Sequence, residues 1–195
     1  MNTQEVLKNT SWQIHENNNQ FSIDKMINDV LSFDKEWYLD ESRQKGTATH
    51  KDTKMYQIRF FSYEWDIGDD EVPKQINSFN SKEANQEFST MCAFLENFYE
   101  GKVVRAEVIS MSPKSDISPH VDSGTMLNLA RRVHIPLVTS EDVLFTVFNK
   151  TVNMKVGNWY EINNYLPHSV INKSNKERIH IILDILPKKY FRDKE

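Results

Sequence analysis

Ser118-Pro-His120-Val-Asp122, Arg132-Val-His134-Ile, Pro167-His168-Ser and Arg178-Ile-His180-Ile-Ile-Leu-Asp184 follow one another along the chain, and the rest organises around them. On a strand, side chains at i and i+2 share a face, so His120 and Asp122 can grip one ion together. His168 has to reach the same ion from a distant strand, which requires a barrel or sandwich that closes on itself. The order H-x-D…H is the ligand set of a 2-His-1-carboxylate facial triad, which holds Fe(II) on one face and leaves positions open for co-substrate and O2. Alone the motif is weak, because a chain with six histidines and 28 acidic residues produces it by chance.

Arg178 adds weight. Ile179, Ile181, Leu183 and Ile185 form one apolar face of its strand, while Arg178, His180 and Asp184 share the other with Ile182 and Leu186. If both faces are covered, the arginine needs an anionic partner, since an uncompensated buried charge costs roughly 3–5 kcal/mol. A dicarboxylate co-substrate meets that need, because a guanidinium grips a carboxylate with two parallel hydrogen bonds. If one face is wet, Arg178 points into solvent.

The segment from about Ile109 to Asp184 resembles the aspartyl/asparaginyl β-hydroxylase family of Fe(II)/2-oxoglutarate dioxygenases and is similar to bacterial free-proline cis-hydroxylases. The matching words are P-H-V-D at 119–122, R-V-H-I-P-L at 132–137, G-N-W-Y-E-I-N at 157–163, L-P-H-S-V at 166–170 and R-I-H-I-I-L-D at 178–184. The resemblance implies that His120, Asp122 and His168 bind Fe(II), and that Arg178 clamps the distal carboxylate of 2-oxoglutarate. It implies that His134 approaches the chelating end of the co-substrate. It sets Arg132 against either the co-substrate or a substrate carboxylate, and Met111 on a strand lining the co-substrate. Ile109 stands where some members carry a serine for the distal carboxylate. The implied reaction hydroxylates a C–H bond of an amino acid, free or in a peptide, with aspartyl, asparaginyl and prolyl side chains as the nearest classes. O2 is consumed and 2-oxoglutarate leaves as succinate and CO2.

A chain of 195 residues suits one domain with one substantial core. Its net charge of −4 argues against a nucleic-acid partner, which needs a basic patch. Cys92 is the only cysteine and cannot form an internal disulfide, which predicts a reducing, cytoplasmic setting. Residues 1–20 carry no apolar signal core, and no run reaches the length of a membrane span.

Residues 1–20 read as a mobile arm, 21–100 as helices and a first strand, and 101–187 as a jelly-roll core. Helical spacing of Ile23, Met26, Ile27, Val30 and Leu31 predicts a helix over 23–32, with Ser22 as N-cap and Phe21 against Met26 as a staple. A second helix is expected over 82–99, capped by Ser81 and striped by Phe88, Met91, Cys92, Leu95 and Phe98. The polar segment 34–53 is either a solvated connection or a loop over a pocket, and its place in the family makes Arg43, Gln44 and His50 candidates for substrate contact. The first strand is expected over 54–63, with a second loop at 64–80. His15 and His50 read as surface residues and His180 as a satisfied core histidine. Pro136 predicts an edge or a bulge in the strand 132–138. Further short strands are expected at 143–149, 151–156 and 158–163. The whole is α+β and mainly β: a double-stranded β-helix, or cupin-like jelly roll, with the N-terminal helices packed on one sheet. Two other functions share the ligand set. A zinc hydrolase needs neither Arg178 nor 2-oxoglutarate, and a binding module with a structural metal normally closes its site with four ligands.

Overall fold

The computed structural model describes residues 10–60, 73–122 and 124–191. Two antiparallel sheets dominate it. The larger holds, in spatial order, β1 (Trp12–His15), β9 (Trp159–Ile162), β6 (Arg131–Val138), β11 (Arg178–Pro187), β4 (Gly101–Met111), β2 (Thr53–Phe60) and β3 (Lys74–Gln75). The smaller runs β5 (Ser115–His120), β10 (His168–Asn172), β7 (Val143–Val147), β8 (Lys150–Val152). The helices are α1 (Asp24–Leu31), α2 (Ser42–Gly46), α3 (Lys82–Phe98) and α4 (Thr125–Leu129). This is the expected jelly roll. Among the described residues, no helix is long and apolar enough to cross a membrane.

Period-two alternation divides the core into two layers. Val133, Ile135 and Leu137 of β6 and Ile179, Ile181, Leu183 and Ile185 of β11 pack with Met26 and Val30 of α1 and with Phe88, Met91, Cys92 and Leu95 of α3. On the opposite face, Met111, Tyr160 and Ile162 of the larger sheet meet Ile117, Val143, Phe145, Val147 and Val170 of the smaller one. The polar side chains share that space, for Arg178 pairs in register with Met111, Arg132 with Ile162 and His134 with Tyr160. Register brings them together. His168 pairs directly with His120 between β10 and β5, while Asp184 stands opposite Arg132, and Ile182 opposite His134, between β11 and β6.

Several expectations change. Residues 12–15, assigned to a mobile arm, are β1 and extend the larger sheet by pairing with β9; residues 1–9 lie outside the described residues. His15, expected at the surface, stacks on Trp159 with ring centroids 5.1 Å apart. The segment 34–53 is a chain of short helical turns, anchored by Trp37 packing on Phe33. The end of the first strand beyond Phe60, and most of the loop at 64–80, lie outside the described residues. β6 is an interior strand, and a bulge opposite Pro136 absorbs its missing N–H. Phe148, expected inside a strand, instead opens the turn into β8 with φ of 55°.

Ser81 caps α3 as expected, accepting from the N–H of Ala84. Ser22 is not the N-cap residue of α1: Ile23 holds that position, the Ser22 hydroxyl accepts only a long 3.4 Å bond from the N–H of Asp24, and the carboxylate of Glu87 on α3 takes the main capping role. It accepts from the backbone N–H of Lys25 at 2.8 Å and of Met26 at 3.1 Å, while the Ser22 hydroxyl donates to it. One side chain thus satisfies the start of α1 and ties the two helices together. Glu87→Ala should destabilise the protein by about 1 kcal/mol, by analogy with loss of a capping side chain. The measurement is the urea midpoint; an unchanged midpoint would mean that water replaces the carboxylate at no cost.

Candidate active site

His120 ends β5, His168 begins β10, and Asp122 lies just past His120. Their ligand atoms fall within 4.8 Å of one another. Nε2 of His168 is 3.4 Å from Oδ2 of Asp122, and Nε2 of His120 is 4.0 Å from Oδ1. Each histidine directs Nδ1 at a carbonyl two residues upstream: Ser118 at 2.9 Å for His120 and Leu166 at 3.1 Å for His168. A carbonyl only accepts, so Nδ1 carries the hydrogen and Nε2 keeps its lone pair, as a metal requires. The donor set of two imidazoles and a carboxylate, with no fourth protein ligand among the described residues, fits Fe(II). Burial lowers the pKa of His168 more than Asp122 raises it, so its imidazole stays neutral below the usual histidine range.

Asp122 is held from behind. Arg132 donates to it through Nη1, while Nε and Nη2 of the same guanidinium donate to the two oxygens of Asp184 at 2.8 and 3.0 Å. Burial opposes ionisation of Asp122, yet Arg132 and the two histidines outweigh it and keep the carboxyl below its usual pKa. Arg105 next door forks onto Glu107 at 2.7 and 2.6 Å and lies 3.8 Å from Asp184. Arg132 was expected to meet the co-substrate or a substrate carboxylate. Its donors are instead taken by two carboxylates of the chain itself. Met111 does not line the cavity either; it is buried in the inter-sheet core, paired in register with Arg178.

Arg178 is the opposite case. It is 1% exposed and faces the same cavity as the triad. Nη2 donates to Nδ1 of His180 at 2.7 Å, and Nε has no partner. No carboxylate among the described residues pairs with it, and burial together with the charge of Arg43 lowers its pKa to about 9. The sheet is covered on both faces, so the wet-face alternative for Arg178 does not hold. His180, expected to be a satisfied core histidine, is the acceptor that orients this guanidinium and has no partner at Nε2. His134 is buried beside it with neither ring nitrogen bonded, and burial followed by the Arg178 charge keeps its pKa well below the ordinary value.

At the mouth stand Arg43 of α2 and His50, which was expected at the surface. Nη2 of Arg43 is 3.4 Å from Nδ1 of His50, whose ring meets that of His120 edge-on at 5.1 Å. Burial, then Arg43 and His120, push the His50 pKa down to about 4. The side chain of Gln44 lies outside what the structure describes. Asp184, Glu107 and Arg105 were not foreseen as parts of the site. Asp184 shares a strand face with Arg178, and Arg105-x-Glu107 carries two charges on one face of a strand, which is the signal that could have found them.

A jelly roll carrying an open 2-His-1-carboxylate cluster beside an uncompensated buried arginine defines the class of Fe(II)/2-oxoglutarate oxygenases. The chain belongs to the aspartyl/asparaginyl β-hydroxylase family, whose sequence profile matches residues 17–187. It is an oxygenase that uses Fe(II), 2-oxoglutarate and O2. No curated protein sequence matches it. An oxidoreductase of the 2OG-Fe(II) oxygenase family from Burkholderia pseudomallei superposes with a TM-score of 0.60 at 12% identity, covering 96% of this chain and 92% of that one. HygX from Streptomyces hygroscopicus, solved with nickel and 2-oxoglutarate bound, gives 0.59 at 10% identity over 96% and 88%. A prolyl-4-hydroxylase from Pseudomonas putida gives 0.54 at 10% identity over 94% and 96%. At these identities the likeness is one of fold.

Two outcomes follow from the buried charges. Removing one member of the Arg132–Asp184 pair leaves its partner buried and uncompensated, so Asp184→Ala should cost about 3–5 kcal/mol in the metal-free protein. Denaturant unfolding measures it, and a loss under about 1 kcal/mol would mean that water already solvates the pair. His134 and His180 both have folded pKa values well below 6.5. The unfolded chain therefore takes up protons that the native state refuses, and stability falls as pH drops through about 6.5. Each such histidine contributes up to about 1.4 kcal/mol per pH unit, and His134→Gln should shallow the acid limb of the stability profile by that much.

Proposed function

We propose that His120, Asp122 and His168 hold the Fe(II), and that Arg178 binds the distal carboxylate of 2-oxoglutarate. The reaction hydroxylates a C–H bond of an amino acid or amino-acid residue of aspartyl, asparaginyl or prolyl type. One observation carries the reading: the fully buried Arg178 has a neutral histidine for a partner and, among the described residues, no carboxylate, in the cavity that the triad shares. A zinc hydrolase has no use for that cation.

The residues divide the work. Two neutral imidazoles and one carboxylate leave one side of the metal open. Arg132 keeps Asp122 ionised and aimed, with Oδ1 free of its grip. Arg178, steered by His180, fixes the far end of the co-substrate. His134, neutral and unpartnered, offers a ring N–H to the near end. Phe145, parallel to His168 with centroids 6.1 Å apart, walls the metal side against water. Bound iron and 2-oxoglutarate supply the O2 activation, one oxygen atom going to succinate and the other to the substrate carbon as CO2 is lost. The reading takes the chain as one domain working in the cytoplasm; the buried, unpaired Cys92 is in keeping with a reducing compartment.

Anaerobic titration of the Fe(II)-loaded protein with 2-oxoglutarate should give the weak visible charge-transfer band of a chelated keto acid. Asp122→Ala should abolish it. Arg178→Ala should shift its titration to roughly 10–100-fold higher 2-oxoglutarate, the loss expected for a charged hydrogen-bonded partner. An unshifted titration in Arg178→Ala contradicts the role given to that arginine, and a wild-type protein that binds iron without the band contradicts the oxygenase site.

A further inference from the structure

We propose that the groove at the end of α3, on the face of the larger sheet turned away from the metal cavity, is a second ligand site. It takes a polyol bearing an anionic group, of the sugar-phosphate or sugar-acid class.

Strand alternation separates this groove from the triad. Arg131 of β6 shares a strand face with Val133, and Glu161 of β9 shares one with Trp159, both of which pack under the helices. Their chain neighbours Arg132, Tyr160 and Ile162 point between the sheets instead. His15 of β1 and Tyr99, just past α3, complete the walls, and Lys188 and Lys189 stand at the rim. The groove has a volume of about 600 Å³, within the range that takes a small molecule. It shares no lining residue with the cavity of the triad, so metal and 2-oxoglutarate take no part in it.

Unmet hydrogen bonds are the first ground. Glu161 is 0% exposed. Its Oε1 accepts from Nη1 of Arg131 at 2.8 Å, while its Oε2 is buried with no partner. The Tyr99 hydroxyl and Nε2 of His15 are buried and unpartnered as well. The Tyr99 hydroxyl lies near enough to the Glu161 carboxylate for each to affect the titration of the other, yet the two form no hydrogen bond. Each polar group withdrawn from water without a partner costs about 1–3 kcal/mol, and here three of them surround one groove.

The chemistry of the three groups is the second ground. The carboxylate oxygen only accepts, and the phenol donates or accepts. His15, kept neutral by burial and by the charge of Arg131, does either according to its tautomer. A hydroxyl group also does both, so neighbouring hydroxyls on one ligand can answer all three. A bare carboxylate or phosphate would be repelled by Oε2 at the inner end. An ammonium would suit Oε2, but Arg131 already holds the other oxygen of that carboxylate, with its guanidinium over the Tyr99 ring at 5.3 Å. Phe98, which is 46% exposed and lines the groove, offers an apolar face to the C–H side of a sugar ring.

Charge at the rim is the third. Arg131 and Glu161 offset each other, and the exposed Lys188 and Lys189 outnumber Glu100, which leaves the mouth positive. An anionic group on the ligand belongs there, with its hydroxyls reaching the inner end.

The test is a ligand-observed NMR titration of the full chain with glucose 6-phosphate, gluconate, glucose, glucosamine and inorganic phosphate as separate probes. Glucose 6-phosphate or gluconate should bind with a Kd of roughly 0.1–5 mM, and the other three about tenfold more weakly or worse. Whichever of the two binds tells a phosphate from a carboxylate at the rim. Tyr99→Phe deletes one hydroxyl from the groove and should weaken binding of that probe by roughly tenfold. The urea midpoint of the same variant should stay level or rise, because the deleted group has no partner to lose; a purely structural hydroxyl would lower it. Replacing Lys188 and Lys189 together by alanine should reduce the charged probe to the affinity of glucose. Nickel-dependent binding of 2-oxoglutarate should be the same in both variants. The proposal is overturned by an absence of binding for both anionic polyols, or by inorganic phosphate or glucose binding as tightly as they do. Affinities that neither variant changes would overturn it too, since the probe would then be held elsewhere.

Discussion

The three donor arms of Arg132 organise this site. Two close on Asp184 across the register of β6 and β11, and the third reaches Asp122. The pair is buried, so its net contribution to stability is small by the usual balance of desolvation against attraction. Its consequence is directional. Asp122 sits beyond the end of a strand, where backbone geometry alone does not fix a side chain, and a guanidinium anchored in the sheet supplies the missing constraint. Without Asp184 the arginine has no fixed bearing, and without the arginine the carboxylate has no reason to face His120 and His168.

The same register explains why the site lies between the two sheets. Alternation along β11 sends Ile179, Ile181, Leu183 and Ile185 under the helices and leaves Arg178, His180 and Asp184 on the inter-sheet side. β6 repeats the division with Val133, Ile135 and Leu137 against Arg132 and His134. On the neighbouring strands Met111, Tyr160 and Ile162, the register partners of Arg178, His134 and Arg132, make the apolar contacts to the other sheet. A polar cavity and a dry core thus share one pair of sheets, with the polar side chains of β6 and β11 flanked at the same level by apolar ones of β9 and β4.

Much of this was legible in the sequence, because both signals are periodic. The apolar faces of β6 and β11 and the stripe of α3 follow from spacing, and the ligand order H-x-D…H follows from the chemistry of one ion. What was not legible depends on partners far apart in the chain. Nothing near Arg132 announces that Asp184 occupies it, since that pairing is a matter of sheet register. Nothing near Ser22 announces that Glu87 displaces it as a cap. β1 was missed because four residues of mixed polarity at the sheet edge carry no pattern of their own. His50 was read as a surface residue because its burial is created by α2 and the neighbouring turns rather than by its own segment.

His180 shows how the fold holds Arg178 without cancelling its charge. A carboxylate at that position would satisfy the guanidinium more strongly, and it would also cancel the charge that a dicarboxylate co-substrate needs to find. A neutral imidazole accepts one hydrogen bond and fixes the orientation of the guanidinium fork, leaving the charge in place. The Arg178 charge in turn is one reason His180 stays unprotonated, after burial itself. The cost is a buried cation with only partial compensation, which the surrounding sheet must carry. Arg105 and Arg132 are paired with carboxylates of the chain, whereas Arg178, held by a histidine, keeps a charge that no carboxylate among the described residues cancels, which is what the role proposed for it requires. The acid or imidazole found opposite each arginine, more than the arginine itself, separates scaffold from site.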